Sequence, residues 1–263
     1  MAKAGTAERD EALLRVDAVV KRFGGVAAVD GLSFAVQPGE ILGLIGPNGA
    51  GKTTMFDCLA GSQFPSAGRI LFRGKSIEAL PAHRRALRGL GRTFQIPKPF
   101  ATMSVVENVM VGAQGQLGEA VLPNWLRPGS VRRQQAEIRD RAMALLDFVT
   151  LARLASEPAR VLSGGQRKLL ELARVLIAAP ALLLLDEPAA GVNPALLEVI
   201  IDRIGAIREQ GVTVLIIEHN MDMVARLCSR VLVMAQGRLL AEGEPAAVVS
   251  DPAVVDAYLG YAH

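Results

Sequence analysis

Several short stretches of this chain place chemically capable side chains at the ends of apolar runs. The clearest is Gly46-Pro47-Asn48-Gly49-Ala50-Gly51-Lys52-Thr53-Thr54, which matches G-x-x-x-x-G-K-[ST], a phosphate-binding loop. Glycines let the backbone curl so that successive N–H groups face a phosphate. The helix that follows adds the positive end of its dipole. Lys52 then reaches the β- and γ-phosphates of a nucleotide, and the Thr53 hydroxyl is a ligand for Mg2+. Asp186-Glu187 follows four leucines. Asp186 is placed to hold Mg2+ opposite Thr53, and Glu187 to polarise a water for attack on the γ-phosphate. His219 ends another apolar run, which makes it a third strand-end candidate. Gln95 precedes a proline-broken segment and is a candidate for the metal or the attacking water. Ser163-Gly164-Gly165-Gln166 reads as a second anion-binding helix start, with Ser163 as N-cap and the glycines leaving N–H groups bare. Phe23, beside Gly24-Gly25, could stack on a base or could simply be a strand-end core residue, and spacing alone favours the latter.

These residues need elements to hold them. Residues 13–23, 32–36, 41–45, 69–72, 182–185, 212–217, 230–235 and 237–241 read as strands, several of them continuous apolar runs suited to a buried sheet. The stretch 91–95 reads as a strand ending in Gln95. Helices are expected at 53–60, 81–88, 132–151, after the glycines to 179, and at 244–250 and 251–259. His83 reads as exposed. Strand signals stop after Ser104, and 113–130, which holds Trp125, reads as a surface loop. The expected class is α/β: a P-loop NTPase core, a mixed sheet flanked by helices, with an antiparallel β subdomain and an inserted α-helical subdomain. Residues 13–99 and 180–243 would form the core with its β subdomain, 100–179 the helical part and 244–260 C-terminal helices. Residues 1–12 read as a frayed tail.

Composition bounds the function. The chain has 263 residues and 51% hydrophobic content, enough for a sizeable core. Mean hydropathy is +0.31, but no run of about eighteen apolar residues occurs, so no spanning helix is expected. No apolar segment near the N-terminus predicts a signal peptide. Two cysteines, Cys58 and Cys228, fit a reducing compartment, with Cys58 a small core residue. A net charge of +3 without a basic, aromatic-interleaved stripe predicts no nucleic-acid partner.

In this order the motifs resemble those of the ATP-binding-cassette (ABC) ATPases over roughly residues 13–260. Leu162-Ser163-Gly164-Gly165-Gln166 is similar to that family's signature, Gln95 falls at its Q-loop glutamine, Asp186 at the Walker B carboxylate, Glu187 at the general base and His219 at the switch histidine. Phe23 falls at its adenine-stacking aromatic. The resemblance implies ATP and Mg2+ as cofactors, hydrolysis of ATP, and a head-to-tail dimer in which Ser163 and Gly165 of one chain close over ATP held by the other. Within the family, Gly91-Arg92-Thr93-Phe94-Gln95, 186–194, 217–221 and Ala257-Tyr258-Leu259-Gly260 are similar to the ATPases of branched-chain amino-acid importers. That implies membrane-spanning permease subunits, a second ABC ATPase (the same chain or a similar one), an indirect binding protein, and a peripheral place on the inner face of the cell membrane. Asn193 stands where many members have Asp. Related lipopolysaccharide exporters, urea or aromatic-acid importers, soluble non-transport cassettes and P-loop GTPases are the alternatives. The signature argues against the last, and the single cassette without sustained heptads against ribosomal and DNA-repair members.

Overall fold

The computed structural model describes residues 12–119 and 128–259. Most of the expected N-terminal tail, Trp125 with much of the 113–130 loop, and Gly260 lie outside the described residues. In chain order the elements begin β1 (Leu14–Phe23), β2 (Val26–Val36), β3 (Ile41–Ile45), α1 (Lys52–Ala60), β4 (Ala67–Phe72), β5 (Lys75–Ser76), α2 (Ala82–Ala86), β6 (Leu90–Arg92) and α3 (Val105–Met110). They continue α4 (Pro128–Phe148), α5 (Gly164–Leu176), β7 (Leu182–Asp186), α6 (Pro194–Glu209), β8 (Thr213–Ile217), α7 (Met221–Leu227), β9 (Arg230–Ala235), β10 (Arg238–Gly243), α8 (Pro245–Val249) and α9 (Pro252–Leu259). They form two compact units. One takes 12–92, 181–189 and 204–259 of the described chain, the other 93–119, 128–180 and 190–203.

The first unit has two sheets. The larger runs β10-β9-β3-β8-β7-β6, parallel from β9 to β6 with β10 antiparallel at its edge. The central strands β3, β7 and β8 are buried along their whole length. Continuous apolar sequence is what a parallel sheet covered on both faces requires. Register places Leu44 and Asp186 both beside Ile217, so the carboxyl ends of β3, β7 and β8 share one edge. The smaller sheet is antiparallel, in the order β2-β1-β4-β5. Phe56, Cys58 and Leu59 of α1 join Leu42, Leu184 and Leu215 in one core. Burial pushes the Cys58 thiol up to about 11, so it stays protonated as a packing residue at neutral pH. Among the described residues no helix is long and apolar enough to cross a membrane. This is the α/β class expected from the sequence.

One basic residue of α2 does what the pattern did not show. Arg85 is buried, and its guanidinium donates to the carbonyls of Cys58, Leu59 (2.8 Å), Glu78 (2.9 Å) and Leu80 (2.8 Å). It thereby satisfies orphan carbonyls at the end of α1. Arg85→Met leaves those acceptors buried and unmatched. We expect it to lower unfolding free energy by about 2–4 kcal/mol, read as a shift in the urea midpoint.

The second unit packs α3, α4, α5 and the start of α6. Val105, Val109, Ile138, Leu146, Leu169 and Leu172 supply its core. Gly112 lies so close to α5 that a Cβ there would meet the Arg174 carbonyl at 2.1 Å.

Element ends differ from expectation where tertiary bonds outcompete local pattern. The hairpin turn is only Gly24-Gly25, and β2 starts at Val26 rather than 32, its N-terminal half pairing with β1. Ladder pairing in β6 ends at Arg92, so the strand does not reach Gln95. The Phe94 N–H goes instead to the Glu171 carboxylate of α5 (2.7 Å). That bond ties Phe94 to the helical unit, with which 93–99 groups. Residues 190–203 group there too, with Leu196 lying against Gly165. The α4 helix spans Pro128–Phe148 rather than 132–151, and α5 ends at Leu176 rather than at 179, where Ala179 has φ 50°.

Candidate active site

The phosphate-binding loop joins β3 to α1. Gly46 (φ 143°) and Gly51 (φ 100°) adopt conformations disfavoured for other residues. A Cβ at Gly46 would sit 2.1 Å from the Met234 carbonyl oxygen, and at Gly51 2.2 Å from that of Ala28. The back of the loop is therefore packed on backbone. It is also tied there by the Gly237 N–H, which donates to the Ala50 carbonyl (3.0 Å). At Gly49 a Cβ would meet nothing within 4 Å. Lys52 is buried, and its ammonium donates to the carbonyls of Gly46 (2.7 Å) and Pro47 (2.9 Å). Burial holds the Lys52 ammonium below the usual lysine range, against the opposing pull of Glu187 and Asp186. Thr53 and Thr54 open α1.

Asp186 ends β7, buried, with Arg92 Nη2 donating to Oδ2 at 3.1 Å. Burial pushes its carboxyl up, against the Arg92 hydrogen bond. Glu187 turns out of the strand in a left-handed conformation (φ 48°), held by its N–H to the Ile217 carbonyl at 2.9 Å. Its Oε1 lies 3.2 Å from His219 Nε2. Glu218, itself buried, accepts from the N–H groups of Ala189 (2.6 Å), His219 (2.9 Å) and Asn220 (3.1 Å). One carboxylate thus fixes the chain leaving β7 and the chain leaving β8, and so aims the histidine at the glutamate. Among the described residues no cluster of three or more His, Cys, Asp or Glu side chains could hold a metal alone. Mg2+ suits a sparser set, one or two protein oxygens with phosphate and water completing the shell. The Thr53 hydroxyl and the Asp186 carboxylate fit that, on α1 and β7, which pack together.

Phe23 ends β1 at the hairpin tip, half exposed, with Lys21 Nζ 5.0 Å from its ring centroid. It is not the core phenylalanine that spacing favoured. Lys52, Asp186, Glu187 and His219 thus come together in the first unit. Gln95, Ser163, Gly164, Gly165 and Gln166 belong to the second.

There Gln95 is exposed, three residues past β6. The Ser163 hydroxyl accepts the Gln166 N–H (3.3 Å), and Gln166 Oε1 accepts the Ser163 N–H (2.9 Å), a capping box at the start of α5. The Gly164 face is open, whereas a Cβ at Gly165 would strike Leu196 at 2.2 Å. Asn193 Oδ1 accepts the Leu196 N–H (2.9 Å), so it keeps the capping hydrogen bond that an Asp would make.

Sequence reasoning missed Arg92, Glu218 and Glu171 as positioning groups. A charged residue within or directly after an apolar strand was the available signal for the first two; nothing local marks Glu171.

A family model described as "ABC transporter" matches residues 29–190, and one described as "Branched-chain amino acid ATP-binding cassette transporter" matches 238–263. The chain is 41% identical to the high-affinity branched-chain amino acid transport ATP-binding protein LivG of Escherichia coli K12, covering 95% of this chain and 98% of that protein. It is 39% identical to BraF of Pseudomonas aeruginosa, with the same coverages. Among solved structures, a nucleotide-free ATP-binding cassette from an ABC transporter matches with a TM-score of 0.82 at 35% identity, covering 94% of this chain and 98% of that one. A cassette in its ADP conformation matches with a TM-score of 0.80, also at 35% identity, covering 95% and 99%.

Proposed function

The chain belongs to the ABC transporter ATP-binding family and is an ATPase, and on that premise we propose that it powers an importer of branched-chain amino acids. The observation that carries the substrate class is the match of residues 238–263 to the branched-chain cassette model. In this reading the loop from Gly46 to Thr54 presents backbone N–H groups to the phosphates, and the Lys52 ammonium leaves the Gly46 and Pro47 carbonyls for phosphate oxygens. The Thr53 hydroxyl and the Asp186 carboxylate would hold Mg2+. When bound, Mg2+ neutralises charge on the phosphates. Glu187 accepts the proton of the attacking water, and His219, at 3.2 Å, holds that carboxylate in place. Phe23 carries the adenine ring. The exposed N-terminus of α5, with Ser163 and the open face at Gly164, covers the phosphates of a partner chain and excludes water. Two cassettes, alike or similar, close over ATP and part after hydrolysis. The chain attaches peripherally to membrane-spanning permease subunits, on the inner face of the membrane.

The test is uptake of labelled leucine into proteoliposomes that contain the permease subunits encoded beside this chain, with the chain and ATP inside and the cognate binding protein outside. ATP-dependent leucine accumulation is expected. Uptake of urea or an aromatic acid in place of aliphatic amino acids would overturn the substrate class while leaving the ATPase intact.

A further inference from the structure

Thr53 and Asp57 are four residues apart on α1 and so lie on one face of that helix, a turn apart. Thr53 is one of the two metal oxygens proposed above, and Asp186, on β7, is the other. Between helix and strand stands Arg92, the last residue of β6. Its Nη1 donates to Asp57 Oδ1 at 2.6 Å and its Nη2 to Asp186 Oδ2 at 3.1 Å. The Arg92 side chain is only 10% exposed and that of Asp186 4%. A planar guanidinium gripping two carboxylates through different nitrogens has its plane and position set by both. The bond to Asp186 is made to one carboxylate oxygen, which fixes the rotation of that carboxylate and therefore the direction of Oδ1.

We propose that Arg92 is a positioning residue that sets the spacing between Thr53 and Asp186, with Asp57 as its anchor on the phosphate-loop helix. The inference rests on the reading of Thr53 and Asp186 as Mg2+ ligands. The general physics is that of outer partners which orient a metal's ligands and tune its affinity. In this proposal Arg92 acts through the two residues it joins, Asp57 and Asp186. The two proposed metal oxygens come from separate elements, α1 and β7, and the guanidinium at the end of β6 bridges those elements. Lys would keep the charge but lose the fork.

The test is the affinity for ATP, read by nucleotide titration in EDTA and again in Mg2+, for the wild type and for Arg92→Gln, Arg92→Lys, Asp57→Asn and Asp186→Asn. The gain on adding Mg2+ is the readout, because a merely structural defect moves both conditions together. We expect affinities in EDTA within about twofold of wild type for the Arg92 and Asp57 variants. The Mg2+ gain should fall about ten- to a hundredfold in Arg92→Gln. It should fall less in Asp57→Asn, which loosens the anchor only, and partly recover in Arg92→Lys. An unchanged gain in Asp57→Asn and Arg92→Gln overturns the proposal. A larger gain in Arg92→Gln overturns it too, since Arg92 would then be competing with the cation. If Arg92→Gln fails to fold, the near-isosteric Asp57→Asn decides alone. If Asp186→Asn retains the full wild-type gain, it is the metal reading of Asp186 that fails, and the positioning claim falls with it.

Discussion

Glu187→Gln binds Mg-ATP and hydrolyses it about 10²–10⁴ times more slowly than the wild type, the usual cost of losing a base that polarises water. The substitution keeps the side chain's length and an oxygen to accept from His219 Nε2, which lies 3.2 Å from Glu187 Oε1 in the wild type, and removes only the ability to take a proton. The backbone is undisturbed as well. Residue 187 sits at φ 48°, a conformation costing about 1–3 kcal/mol for a non-glycine residue and tolerated here because its N–H is held by the Ile217 carbonyl. Gln bears that strain as Glu does. ATP then persists between cassettes, so size-exclusion chromatography with Mg-ATP should show a dimer that is absent without nucleotide. Phosphate release at the wild-type rate would overturn Glu187 as base. A nucleotide-loaded monomer would mean that closure needs a second, different cassette.

Lys52→Met removes ATP binding, with affinity at least about a hundredfold lower by titration. Two charge-assisted hydrogen bonds to phosphate, each about 1.5–3 kcal/mol, account for that loss. The fold should survive it. Met has a similar length, and although the ammonium's bonds to the Gly46 and Pro47 carbonyls are lost, the loop is still held from behind by Met234, Gly237 and Ala28. A circular-dichroism melt within a few degrees of wild type checks this point. Thiol labelling gives a second check, since Cys58, packed in the core with α1, should remain unreactive.

The sequence shows the central sheet well because its physics is local. A strand covered on both faces must be largely apolar, as 41–45, 182–185 and 214–217 are; the last two are followed at once by charged residues that no core would accept unpaired, and the first by the glycine loop that ends in Lys52. Lys52, Asp186, Glu187 and His219 were legible for that reason. What the sequence hides is settled by partners far along the chain. Arg85 looks like one more exposed cation in a basic run, and only the end of α1, more than twenty residues away, makes it a buried cap. Residues 93–95 have strand-like composition, but Glu171 takes the Phe94 N–H that a ladder would need. Phe23 is the reverse case. Spacing suggested burial, and the tight Gly24-Gly25 turn carries the ring out to the hairpin tip.

That Phe94–Glu171 hydrogen bond reaches beyond strand boundaries. Gln95 and α5 both belong to the second unit. A buried carboxylate on α5 grips the residue next to Gln95, so the two are parts of a single lever. Displacing one displaces the other, so the segment that leaves β6 and the helix that begins at Gly164 are expected to move as one body.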